Sequence, residues 1–94
     1  MNDKLKKIIE KYGVRNQLKK FNEEVFELTE AVIEYDETCH NFKHVIEEIS
    51  DVLVLLKQLQ LWYEIDDKDI YDAMEYKVDR QLNRIAESEE HLII

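Results

Sequence analysis

The sequence predicts an all-α protein, an antiparallel helical bundle of four helices. Two observations carry this. Among 94 residues there is no Pro and a single Gly, while Glu, Lys, Leu and Ile abound, and these residues keep most of their side-chain freedom in a helix. Apolar residues also recur at spacings of three and four in three long stretches, the period of a helix face packed on a partner. The length fits one domain over residues 1–94, with a core small enough that association with further copies would help to stabilise it.

The first helix is predicted over about 3–12, where "DKLKKIIEKY" precedes Gly13, a residue suited to a left-handed C-cap. The second, about 16–36, draws one stripe through Phe21, Val25, Leu28, Val32 and Tyr35. The third follows the polar link "DETCHN" and spans about 41–63. Its stripe is Val45, Ile49, Val52, Leu56, Leu59 and Tyr63, with Leu53, Val54, Leu55, Leu61 and Trp62 adding apolar surface on other sides. A helix apolar nearly all round lies at the centre of an assembly, so the four-helix-bundle-like core is expected to be completed by oligomerisation. The fourth, about 67–88, starts where Asp66 can cap and acids suit the positive end of the helix dipole. Its stripe is Ile70, Met74, Val78, Leu82 and Ile85.

Charge narrows the function. Thirteen Lys and Arg against twenty-two Asp and Glu leave a formal charge of −9, which argues against direct binding to nucleic acid or anionic membranes. The longest purely apolar run, "VLVLL" at Val52 to Leu56, is far short of the roughly 20 residues that cross a bilayer, and no apolar signal core opens the chain. A cytoplasmic location is expected. One cysteine, Cys39, allows no internal disulfide, in keeping with a reducing compartment.

One six-residue pattern occurs twice, "EEVFEL" from Glu23 and "EEISDV" from Glu47. At about 100° per residue, Glu24 lies about 60° from the stripe axis of its helix and Glu27 about 120° to the same side. Glu48 and Asp51 repeat those angles on the third helix. If the two stripes pack antiparallel, as a short connection favours, the flanking columns bring four carboxylates around a small volume. Such a group repels itself unless a cation compensates, and oxygen-only ligation suits Mg²⁺ or Mn²⁺. Glu24, Glu27, Glu48 and Asp51 are therefore the candidate metal ligands. Glu23 and Glu47 fall further toward solvent and are the candidate catalytic groups, placed to orient a water or a lysine.

The fourth helix carries Lys77, Arg80 and Arg84 within about 80° on one side of its stripe. A metal cage together with a basic column is what a polyphosphate requires. Cys39, His40 and His44 lack an evident fourth ligand and read as a helix start with exposed histidines. The chain has no Gly-rich phosphate loop and no dinucleotide fingerprint.

The two-part pattern "EEVFE" and "EISD" resembles that of the all-α nucleoside triphosphate pyrophosphohydrolases, the MazG-like group that also includes dimeric dUTPases and phosphoribosyl-ATP pyrophosphatase. The likeness runs from about Gln17 to Arg84. Lys20, three residues before the first acid pair, matches the group's usual lysine, and Lys77 and Arg84 resemble its downstream phosphate contacts. Asp79 stands where such sequences commonly carry Asn. The resemblance implies Mg²⁺ on Glu24, Glu27, Glu48 and Asp51, hydrolysis of a nucleoside triphosphate to monophosphate and pyrophosphate, and a homodimer or homotetramer. Lys20, Lys77, Arg80 and Arg84 are the candidate substrate-binding residues. Two alternatives stay open: phosphoribosyl-ATP hydrolysis on the same fold, and a non-enzymatic acidic bundle that occupies a partner's basic site.

Overall fold

The structure, a computed structural model, describes residues 1–93. Four helices account for nearly all of them: α1 Asn2–Tyr12, α2 Val14–Thr38, α3 Phe42–Trp62 and α4 Asp67–Ile93. Among the described residues there is no strand. The helix limits agree with the sequence reading to within two residues, except that α4 continues past the expected end at about 88 to Ile93.

Gly13 separates α1 from α2. Its φ of 85° is positive, as a C-cap requires, but its ψ of 149° is extended rather than left-handed helical. That region is open essentially to glycine alone. The residue serves both neighbours: its N–H donates to Ile9 O at 2.8 Å, and its carbonyl accepts from the Gln17 N–H at 3.2 Å. One residue thus ends a helix and begins the next at a fixed elbow.

The α2 to α3 connection is three residues long. Thr38 Oγ1 donates to Glu34 O at 2.7 Å and accepts the His40 N–H at 3.1 Å, which carries α2 to Thr38. Cys39 then adopts a left-handed conformation, φ 58°. Asn41 Nδ2 donates to Glu34 Oε1 at 2.8 Å across the link, and the rings of Tyr35 and Phe42 meet at 5.3 Å. So short a link makes α2 and α3 an antiparallel hairpin.

Helices α1, α2 and α3 form one compact unit, Met1–Glu64, and the chain from Ile65 onward forms a second. Among the described residues seven side chains are buried: Leu5, Ile9, Ala31 and Leu55 are apolar, and Gln17, Glu48 and Gln58 are polar. A core this small with so many polar members is built around them. In α2 the buried or half-buried line is Gln17, Phe21, Glu24, Leu28 and Ala31, and in α3 it is Val45, Glu48, Val52, Leu55 and Gln58.

These lines correct the sequence expectation. Val25, Val32, Ile49 and Leu56, all placed on the inner stripes, are exposed. In α2 and α3 one acid each, Glu24 and Glu48, turns inward, while Glu27 and Asp51 stay exposed at the flank. No described residue of α4 is buried, and its apolar stripe from Ile70 to Ile85 is exposed.

Candidate metal centre

Two hydrogen bonds fix the register of the α2/α3 hairpin. Near the link, Asn41 bonds to Glu34; near the open end, Gln17 Nε2 donates to Gln58 Oε1 at 2.7 Å. Seventeen residues separate Gln17 from Glu34, and the same seventeen separate Asn41 from Gln58. Continued between those points, one antiparallel register sets Glu24 opposite Asp51 and Glu27 opposite Glu48. This explains the repeated motif: acid, two residues, acid, read in opposite directions on two antiparallel helices, brings like positions together.

The side chains follow. Glu24, Glu27 and Glu48 each offer a carboxylate oxygen within 4.8 Å of the others. Oxygens around one six-coordinate ion of about 2.1 Å bond length stand about 3.0 to 4.2 Å apart, so a small contraction of this cluster suffices to fit a divalent cation. Glu24 Oε2 and Glu48 Oε2 are buried with no hydrogen-bond partner. An unpaired buried carboxylate oxygen is costly, and a proton or a cation would relieve that cost.

Electrostatics agree. Glu24 has its pKa raised above the ordinary value by burial first, then by the charges of Glu27, Asp51 and Glu48, and last by a side-chain hydrogen bond with Glu27. Asp51 itself is exposed; it acts on Glu24 from the edge of the cluster. His44 Nδ1 lies 3.7 Å from Glu48 Oε1 and 3.9 Å from Glu47 Oε2. His44 is thus no idle surface histidine.

A cleft of about 370 Å³ opens beside the acids. Its polar lining is Tyr12, Gln17, Lys20, Glu24, Asp51 and Gln58. The Gly13 elbow creates it, because α1 supplies Tyr12 on one side of the bend and α2 supplies Gln17 and Lys20 on the other.

The remaining sequence candidates are placed as follows. Lys20 lies in the cleft lining, one turn before Glu24. Glu23 and Glu47 are exposed, and Glu47 stands 4.0 Å from Lys43 Nζ. Lys77, Arg80 and Arg84 are exposed on α4, with the Arg80 guanidinium 5.9 Å from the Tyr76 ring centre. Sequence reasoning missed Gln17, Gln58 and Tyr12. The signal for Gln17 was present: it stands four residues before Phe21, in line with the core. Gln58 similarly interrupts the apolar sequence of α3.

No helix among the described residues is long and apolar enough to cross a membrane. No family model, no curated protein and no solved structure matches the chain. A functional reading therefore rests on the cluster, the cleft and the residues that join them.

Proposed function

We propose that this chain is a divalent-cation-dependent nucleotide pyrophosphohydrolase, which splits a nucleoside triphosphate into a nucleoside monophosphate and pyrophosphate. The observation that carries the reading is the glutamate cluster with two orphaned, buried carboxylate oxygens at the edge of a cleft that also holds a lysine. The resemblance of "EEVFE" and "EISD" to the MazG-like pattern supports the reaction type.

Glu24, Glu27 and Glu48 would hold Mg²⁺ or Mn²⁺, with Asp51 completing the charge from the cleft side. A cation held there would supply Lewis-acid chemistry, stabilising phosphate charge and lowering the pKa of a water. Lys20, on the same face of α2 as Glu24, neutralises a phosphate oxygen in the cleft. Glu23 and Glu47, at the solvent edge, orient the water and accept its proton as a phosphorus–oxygen bond forms and the bridging bond to pyrophosphate breaks. Lys77, Arg80 and Arg84 are further phosphate ligands in this reading. The assembly is a homodimer or homotetramer, and the role is removal of non-standard or excess triphosphates.

Pyrophosphate release from a panel of dUTP, the common nucleoside triphosphates and phosphoribosyl-ATP, with and without Mg²⁺, tests this. Release should require the cation. It should fall in Glu48→Gln by more than about 100-fold, beyond the scale of losing an outer-shell partner, with unchanged helical content. Phosphoribosyl-ATP as the sole substrate would move the reaction to that alternative. No release from any nucleotide would sink the enzyme reading and favour the acidic binding protein.

A further inference from the structure

The buried amides of Gln17 and Gln58 are not accounted for by the metal cluster. Gln17 is 6% exposed and Gln58 2%, so both are among the most enclosed polar groups of the chain. A side-chain amide has two donors and an acceptor with two lone pairs. The single bond between them, from Gln17 Nε2 to Gln58 Oε1 at 2.7 Å, leaves Gln17 one N–H donor and its acceptor oxygen, and leaves Gln58 two N–H donors and one lone pair on Oε1. Beyond that bond neither amide has a partner among the described residues. Yet the only sealed, unpaired side-chain atoms among those residues are the two carboxylate oxygens. Neither Gln17 Oε1 nor Gln58 Nε2 is among the sealed atoms, and both residues line the cleft.

The pair presents one donor beside one acceptor. Rotating both amides together by half a turn keeps their mutual bond and reverses the order. That arrangement complements a heterocycle edge on which a donor and an acceptor are adjacent, the feature every nucleobase carries. Tyr12 supplies the only aromatic ring of the lining, and Ile8 and Val54 supply apolar surface, the surroundings in which a flat ring is held.

Spacing agrees. Gln17 precedes Glu24 by seven residues on α2, and Gln58 follows Asp51 by seven on α3. At 1.5 Å per residue the amide pair lies about 10 Å along the hairpin from the acids, on the order of the reach of a nucleoside from its base edge to its 5′ oxygen. Lys20 stands between.

We propose that Gln17 and Gln58 are the base-reading element of the cleft, binding the hydrogen-bonding edge of a nucleobase whose phosphates point toward Lys20, Glu24 and Asp51. The inference rests on the cleft being a nucleotide site, as proposed above, but not on hydrolysis. A pair that only tied α2 to α3 would need no free donor and acceptor facing the cleft.

The test uses the full chain, labelled with ¹⁵N, and follows the side-chain NH₂ signals of Gln17 and Gln58. The probes are uridine, cytidine, adenosine and guanosine 5′-monophosphates, with ribose 5-phosphate as the ligand lacking a base. Both amide signals should move with at least one nucleotide and stay still with ribose 5-phosphate. Gln58→Met, similar in volume, should flatten the preference among bases by roughly 5- to 150-fold while Mg²⁺ still shifts the signals of Glu24 and Glu48. If that variant does not fold, Gln17→Met makes the same comparison, and the unmodified chain already decides the first point. Amides that ignore all four nucleotides, or move equally with ribose 5-phosphate, would overturn the inference. So would a variant with unchanged base preference. Base-dependent shifts without pyrophosphate release would leave this inference standing and remove the hydrolytic one.

Discussion

At the level of single residues, Glu24 shows how the acid cluster couples stability to pH. Its raised pKa, caused by burial and then by Glu27, Asp51 and Glu48, means the folded chain holds this proton at pH values where the unfolded chain has released it. Between the ordinary 4.5 and the raised value, the folded state binds more protons, so stability falls as pH rises through that window. In metal-free solution, thermal stability should therefore decline on leaving acid pH. Glu24→Gln should remove that part of the slope and raise the melting temperature near neutrality, each kcal/mol relieved being worth roughly 4–8 °C for a domain of this size. Mg²⁺ should do the same for the unmodified chain, by about 2.7 kcal/mol at 100 times its dissociation constant, and should do little for the variant. Calorimetry across pH, with and without Mg²⁺, checks all three; a wild-type melting temperature unmoved by Mg²⁺ at neutral pH would count against the site. The residues of this cluster were legible because Glu24, Glu27, Glu48 and Asp51 repeat a spacing. Gln17 and Gln58 were less so: Gln17 stands in line with the core and Gln58 interrupts the apolar run of α3, but neither belongs to a repeated spacing that would give it a role.

At the level of elements, punctuation residues made the helix limits readable, while helix rotation was not. Gly13, the polar link and the acids after Tyr63 each interrupt a periodic run, so α1, α2 and α3 begin and end close to where the sequence places them. The facing direction of α2 and α3 differed because each carries apolar residues on more than one side. Stripe arithmetic finds the mean apolar direction, and exposed Val25, Val32, Ile49 and Leu56 pull that mean away from the inward Glu24 and Glu48. Gly13 illustrates what a single element joint contributes. A Cβ there would meet nothing within 4 Å, so the cost of Gly13→Ala lies in the backbone alone, at φ 85° and ψ 149°. About 1–3 kcal/mol of destabilisation is expected, read as a lower midpoint in chemical denaturation. Because Tyr12 and Gln17 flank the elbow, the same variant should also weaken nucleotide binding. A variant with unchanged stability would show that the elbow is not strained for other residues. Ile9→Ala, by contrast, should cost about 2–5 kcal/mol through the cavity it leaves, since Ile9 is among the most enclosed apolar side chains of the first unit.

At the level of the whole molecule, the expected association with further copies can be tested on the apolar surface that α3 leaves exposed. On α3, Ile46, Ile49, Leu53 and Leu56 are 50%, 43%, 58% and 44% exposed, yet they follow spacings of three, four and three and fall within about 80° of one another. That is the spacing of a helix seam that packs knobs into holes, and it lies about 100° round the helix from the buried line of Val45, Glu48, Val52 and Leu55. A monomer rarely leaves so long an apolar ladder in water. On α2, Phe26 and Ile33, exposed and two helical turns apart, extend the outward apolar surface. The acidic net charge of −9 opposes association only weakly over distance, because charges separated by more than about 8 Å are screened at physiological salt. A second copy of this chain would match the ladder, since identical seams, here Ile, Ile, Leu, Leu, can be self-complementary across a twofold axis. Leu53→Glu places a charge at the centre of that seam, one turn beyond Ile49 and on the side away from the glutamate cluster. Sedimentation velocity should then show the unmodified chain as a dimer or tetramer and the variant as a smaller species, with helical content retained because Leu53 has no part in the buried line. A wild-type chain that sediments as a monomer at every concentration, or an assembly indifferent to Leu53→Glu, would exclude this seam as the contact.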